Sequence, residues 1–249
     1  MDVETYLNRI AYSGCREPNI ETLRALHRAH LEAVPFENLD IHLGQPIVLD
    51  EGLLHDKIVG HRRGGFCFEL NGLFAALLRD LGFAVALLSA RVMDEDGVAG
   101  PPFDHMTLEV EADGPWLADV GFGDGFSEPL RLDDPGIQQR HGIDYRLTGA
   151  GDHMIMSRRE PDGAWRGRYR FSRMPHQLAA FAACCRHHQT SPDSHFTQSR
   201  VCSRHTANGL VTLTDDALIV SEAKGRREIP VEDEAAFRRI LAEQFGIEI

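Results

Sequence analysis

Apolar positions in the first third of the chain recur at helical spacing. Leu70, Leu73, Phe74, Leu77 and Leu81 keep one face from Cys67 onward, a period that calls for an amphipathic helix. Leu23, Leu26 and Val34 hold a rougher face behind Asn19, and Leu54 and Ile58 follow Asp50. Both polar residues suit helix N-caps, because their side chains accept from the first free N–H groups. Residues 2 to 82 therefore read as a helical N-terminal domain. From Phe83 the pattern turns to short β-rich runs at 83–92, 105–111, 116–120, 145–147, 154–158 and 165–171, punctuated by Asp113-Gly114 and Pro161-Asp162-Gly163. Such runs predict a small barrel or sandwich. After Pro175 a helix is expected through His188, then a polar loop at 190–194 and strands flanking Asn208-Gly209. A last helix from Glu232 to Phe245 should stop at Gly246. The expected domains are 1–82, 83–189 and 190–249, the last a mixed domain packing over the other two.

Residues 105–111 alternate strictly, with Met106, Leu108 and Val110 on one side and His105, Thr107 and Glu109 on the other. The next run, Trp116 to Val120, sets Asp119 inside an otherwise apolar strand, where a carboxylate needs a partner. Parity decides whether that partner is His105. A two-residue loop at Asp113-Gly114 sends the two side chains to opposite faces. A three-residue loop of Ala112, Asp113 and Gly114, with Gly114 left-handed, pairs His105 with Gly121 and leaves Asp119 on the same face, one diagonal step away. The second register is the one expected.

Composition narrows the classes of function. A chain of 249 residues can bury a full core. No apolar run approaches the roughly 18 residues of a membrane span, and the acidic start is unlike a signal peptide, so a cytoplasmic location is the default. The formal net charge of −12 argues against a general grip on nucleic acid or on an anionic membrane. Cys15, Cys67, Cys184, Cys185 and Cys202 form an odd set without framework spacing, which favours reduced thiols.

One of these thiols has the setting of a nucleophile. Gly64 and Gly65 run into Cys67 at the start of a helix, where the dipole and free N–H groups are expected to lower a thiol pKa from about 8.5 toward roughly 3.5–7.5. With His105 as base and Asp119 fixing its tautomer, Cys67 can attack an acyl carbonyl and carry the acyl group as a thioester.

The ordered motifs Pro35-Phe36-Glu37-Asn38-Leu39, Arg63-Gly64-Gly65-Phe66-Cys67-Phe68-Glu69, His105-Met106, Asp119-Val120-Gly121-Phe122-Gly123 and Gln189-Thr190-Ser191-Pro192-Asp193-Ser194 resemble those of arylamine N-acetyltransferases along nearly the whole chain. The resemblance implies an α+β fold of three domains with a cysteine-protease-like core: a helical bundle carrying Cys67, a β-barrel carrying His105 and Asp119, and an α/β lid. It also implies a ping-pong reaction in which acetyl-coenzyme A acetylates Cys67 and the group passes to the nitrogen of an arylamine, arylhydrazine or hydroxylamine, as in xenobiotic metabolism. Gly123, Thr197 and Ser203 are the implied cofactor contacts, and Phe36, Phe122 and Phe126 the implied substrate contacts. Glu37 and Arg63 are expected to pair and hold the nucleophile loop. Asp104 stands where the family pattern has a neutral residue, and an added carboxylate there is expected to raise the pKa of His105.

Three alternatives stay open beside this reading. A thiol hydrolase or transglutaminase-like enzyme uses the same order of Cys, His and Asp. A family member could be specialised for another acyl donor. Cys184/His187, Cys185/His188 and Cys202/His205 carry zinc-like spacing, although the expectation is that no metal is bound. A homo-oligomer is compatible with the sequence.

Overall fold

Helices open the chain, as the period requires. The computed structural model describes residues 1–150, 153–222 and 225–249. It begins with α1 (Val3–Arg9) and α2 (Ile20–Ala33), the latter started by Asn19, whose side chain accepts the Thr22 N–H at 2.9 Å. After β1 (Phe36–Glu37) and α3 (Leu39–His42), Asp50 caps α4 (Glu51–His55), which runs through a wider turn at 56–60 toward α5 (Cys67–Asp80). Every residue of α5 from Cys67 to Leu78 is buried. A helix enclosed on all sides belongs to the core rather than the surface, and α5 packs against β2 and β3 as the central post of the molecule.

The β-rich middle forms one antiparallel sheet from β2 (Ala84–Val92), β3 (His105–Glu111), β4 (Pro115–Ala118), β5 (Leu130–Arg131), β6 (Gln138–Arg140), β7 (Ile143–Ala150), β8 (His153–Arg159) and β9 (Trp165–His176). Their order is β5-β4-β3-β2-β9-β8-β7-β6. The two end strands are joined by a side chain: the Gln138 amide accepts the Arg131 N–H at 2.7 Å and donates to the Arg131 carbonyl at 2.8 Å. Gln138 thus supplies the pairing that two short edge strands lack, and the sheet is a near-closed barrel. Leu88, Leu117, Tyr145, Met156, Tyr169 and Phe171 fill the second hydrophobic cluster, while Met106, Leu108 and Val110 face α5.

The strand β9 runs to His176, past the Pro175 that was expected to open a helix. A register shift in β2 between Leu88 and Ala90 accommodates it, which is where a proline is tolerated in a sheet. The helix follows as a tight turn at Leu178–Phe181 and α6 (Ala182–Thr190). After α7 (His195–Gln198) come β10 (Val201–Thr206), β11 (Gly209–Thr214), β12 (Ala217–Glu222), β13 (Gly225–Pro230) and α8 (Glu234–Phe245). Thr206 pairs with Gly209, so the hairpin turns on Ala207-Asn208, one residue earlier than expected. Gly246 ends α8 with φ of 67°. The second sheet has the order β1-β10-β11-β12-β13, so two residues from the helical region form its edge. That pairing ties the helical region to the second sheet. Among the described residues no helix is long and apolar enough to cross a membrane.

Candidate active site

Cys67 is the first residue of α5, and Phe66 before it is extended. The Glu69 carboxylate reaches back to accept the Phe66 N–H at 3.0 Å, which closes the turn that presents the thiol. Gly64 is required by close approach, because a Cβ there would lie 2.0 Å from the Pro35 carbonyl oxygen. Beneath this turn lies a charged cluster. Lys57 Nζ is 2.7 Å from both Asp40 and Glu69, and Arg63 is 2.9 Å from Glu37 and 2.8 Å from Asp40. The expected pair of Glu37 and Arg63 is present, as part of a larger network. Three carboxylates face two cations there. Burial pushes the Glu69 carboxyl up to about 7, against the opposing pull of Lys57.

The hairpin of β3 and β4 has the expected register. Glu111 pairs with Pro115 and Leu108 with Ala118, which leaves a loop of Ala112, Asp113 and Gly114. Asp113 shares the left-handed region with Gly114, at φ of 54° and 114°. The consequence is contact: His105 Nε2 lies 2.7 Å from Asp119 Oδ2, with both side chains buried. The polar face of β3 is therefore interior, and Thr107 on it donates to the Ala118 carbonyl at 3.2 Å. With Nε2–H donated to the carboxylate, Nδ1 of His105 is left to accept a proton.

Two residues without an expected role hold this geometry. Asn71 lies one turn after Cys67 on α5; its amide donates to the Met106 carbonyl at 2.7 Å and to Asp119 Oδ1 at 2.8 Å, and accepts the Val120 N–H at 2.9 Å. One side chain thus locks the helix of Cys67 to the strand of His105 and the loop of Asp119. His27, from α2, accepts the Asp119 N–H at Nε2 (3.1 Å) and donates from Nδ1 to the Ser127 carbonyl (3.1 Å). Burial lowers its pKa to about 4, so it serves as a neutral ring. A polar residue among the apolar positions of a helix was the available signal for both, shared with Thr22 and His30 on α2 and Glu69 on α5. Gly121 completes the junction, since a Cβ there would lie 2.7 Å from Cys67 Cα.

Electrostatics differ from expectation at Cys67. Burial pushes the thiol well up, and a backbone hydrogen bond with Met106 only partly opposes it. The helix start does not outweigh the loss of water. A thiolate here needs a counter-cation. Asp119 goes the other way: burial raises its carboxyl, but His105, Asn71 and the Gly121 N–H together hold it below the usual carboxylate range.

The remaining expected residues divide. Phe122 lies edge-on to His105, ring centres 5.1 Å apart, and Phe36 packs near Gly123 and against Phe196. Phe126 is in the core, stacked on His27 at 5.8 Å and edge-on to Tyr145. The Gly123 carbonyl accepts from His205 at 3.0 Å. Thr197 donates within its own turn, and Ser203 bonds Thr212 across the second sheet at 2.9 Å. Asp104 Oδ1 lies 3.3 Å from His188 Nε2. Burial alone would depress His188, but Asp104 and Cys184 outweigh it and bring it to about 9.

Beside the 123–125 loop a cleft of about 860 Å³ opens between barrel and second sheet, bordered by Arg28, Arg140, His141, His205 and Asn208.

A family profile described as N-acetyltransferase matches residues 19–249. The arylamine N-acetyltransferase of Escherichia coli (strain K12) is 38% identical over 248 residues, 97% of this chain and 87% of that protein. The solved arylamine N-acetyltransferase of Mycobacterium marinum superposes with a TM-score of 0.93 at 34% identity, covering 99% of this chain and 93% of its own. The same enzyme in complex with CoA gives 0.92 at 34% identity, with the same coverage of both chains. A match of sequence and architecture from end to end, around a buried Cys, His and Asp, means that the chain belongs to the arylamine N-acetyltransferase family.

Proposed function

We propose that the protein transfers an acetyl group from acetyl-coenzyme A, through a thioester on Cys67, to the nitrogen of an arylamine, arylhydrazine or hydroxylamine. The observation that carries this reading is the 2.7 Å contact between His105 and Asp119, locked by Asn71 to the helix of Cys67. His105 takes the Cys67 proton as the sulfur attacks the thioester carbonyl. The coenzyme A sulfur leaves and recovers that proton from the imidazolium. In the second half the amine nitrogen attacks the Cys67 thioester, its proton passes to His105, and the Cys67 sulfur leaves and is reprotonated.

Binding follows from the same neighbourhood. The cleft beside the 123–125 loop has Arg28, Arg140, Arg158, His141 and His205 on its walls together with Glu32, Asp124 and Glu222, and its cations are the groups that suit the phosphates of coenzyme A. Phe122 and Phe36 are the aromatic surfaces nearest His105 and Gly123, and they are assigned to the amine ring. Phe126 supports the site from behind through His27. Among the described residues every cysteine is unpaired, which suits a reducing cytoplasm and xenobiotic metabolism there.

Intact mass after incubation with acetyl-coenzyme A tests the proposal. One acetyl adduct is expected, absent from Cys67→Ala and discharged by an aromatic amine or hydrazine with formation of its amide. An adduct discharged equally fast by water alone would move the assignment to a thiol hydrolase.

A further inference from the structure

A second set of Asp, His and Cys lies one residue away from the first. Asp104 precedes His105 at the start of β3, and Cys184 and His188 stand four apart on α6, hence on one face. The three side chains present their ligand atoms within 4.8 Å of one another. His188 Nε2 is 3.7 Å from Cys184 Sγ and 3.3 Å from Asp104 Oδ1. A tetrahedral zinc ion with ordinary bond lengths sets its S···N edge at about 3.6 Å and its N···O edge at about 3.3 Å.

The surroundings orient these atoms. Nδ1 of His188 lies 3.1 Å from Ser194 Oγ and can keep its proton there, while Nε2, which also lies 3.3 Å from the Asp104 carbonyl oxygen, gives up its proton to the solvent when a metal ion binds. Asp104 Oδ2 accepts the Val92 N–H at 3.3 Å, which fixes the carboxylate with Oδ1 turned to the cluster. The pairs with zinc-like spacing do not form this set. His187 is not in it, Cys185 bonds Gln189, and His205 bonds the Gly123 carbonyl.

We propose that Asp104, Cys184 and His188 form a site for a zinc-class transition metal ion, with water as fourth ligand, that fastens α6 to the start of β3. Thiolate, imidazole and carboxylate together select zinc or cobalt over magnesium or calcium. The site is separate from the acyl-transfer site, since it uses neither Cys67 nor the His105 ring.

The test uses the full chain as Cys67→Ala, so that the nucleophile cannot bind the ion. Titration with Co2+ should give one equivalent showing thiolate-to-metal charge-transfer absorption and tetrahedral d–d bands. Zn2+ should displace it and raise the thermal midpoint. Adding Cys184→Ser should remove the charge-transfer band, and adding His188→Gln should weaken Zn2+ binding at least tenfold. Ser194→Ala should weaken it by about tenfold. If either ligand variant fails to fold, the Ser194 variant and Asp104→Asn carry the test. Cobalt or zinc binding that is absent, or unchanged by these substitutions, would overturn the site and leave an ion pair of Asp104 with His188.

Discussion

Two clusters of the same three residue types sit side by side, and they differ in which nitrogen of the histidine is tied. At His105 the carboxylate holds Nε2, and Asn71, Gly121 and His27 hold the carboxylate and its backbone. The opposite nitrogen is left for proton transfer. At His188 the carboxylate and the thiol converge on Nε2, while Nδ1 is taken up by Ser194. A ring tied at one nitrogen can move a proton at the other, whereas a convergent set can hold an ion. Composition is shared, so the partner of each ring nitrogen decides the chemistry.

The sharpest way to break this contrast is to ask which thiol becomes acylated. Peptide mapping after brief exposure to acetyl-coenzyme A should place the acetyl group on Cys67 and none on Cys184. Cys67→Ala should lower amine acetylation by about 10⁴-fold or more, in line with the loss of a nucleophile acting as a unit with its base. Label on Cys184 would erase the distinction.

The next test removes the orientation and leaves the shape. Asp119→Asn should reduce kcat/KM by about 10³–10⁴-fold, because an amide can present a donor to Nε2 and favour the wrong tautomer. A loss below tenfold, measured at saturating acetyl-coenzyme A, would mean that Asp119 is structural only.

A third test concerns the charged cluster beneath the turn of Cys67. Glu69 has a folded-state pKa of about 7, above its unfolded value, so the folded protein binds that proton more tightly. Its contribution to stability is full below about pH 4.5 and is lost as pH rises through about 7, a change on the order of 3 kcal/mol. The physical cause is burial of the Glu69 carboxyl, with the charge of Glu37 adding to it and Lys57 opposing it. Urea unfolding from pH 5 to 8 should show this decline, and Glu69→Gln should flatten it. An unchanged slope in that variant would assign the proton to another group.

The smallest effect is expected at the rim. Phe122→Ala should raise the KM for an aromatic amine by about tenfold with little change for acetyl-coenzyme A, as expected for one lost aromatic contact. Equal changes in both constants, with a lowered midpoint of unfolding, would make Phe122 a packing residue.

Much of this was legible because it is local or periodic. The start of α5 at Cys67 follows from the Gly64-Gly65 turn and the helical spacing behind it. The caps at Asn19 and Asp50 were readable because a cap joins groups a few residues apart. Loop length between β3 and β4 sets parity, and parity alone put His105 and Asp119 on one face. The strand β1 escaped notice because two residues give no period, and the short edge strands β5 and β6 escaped for the same reason.

Sequence by itself therefore determined the helix start at Cys67, the register that joins His105 to Asp119 and the α+β class. Tertiary structure decided the rest: the partners of Asn71 and His27, the raised rather than lowered Cys67 thiol, the burial of Phe126 and the turn of Asp104 toward His188. Each of these depends on contacts between residues far apart in the chain or on the exclusion of water, and neither leaves a period in the sequence.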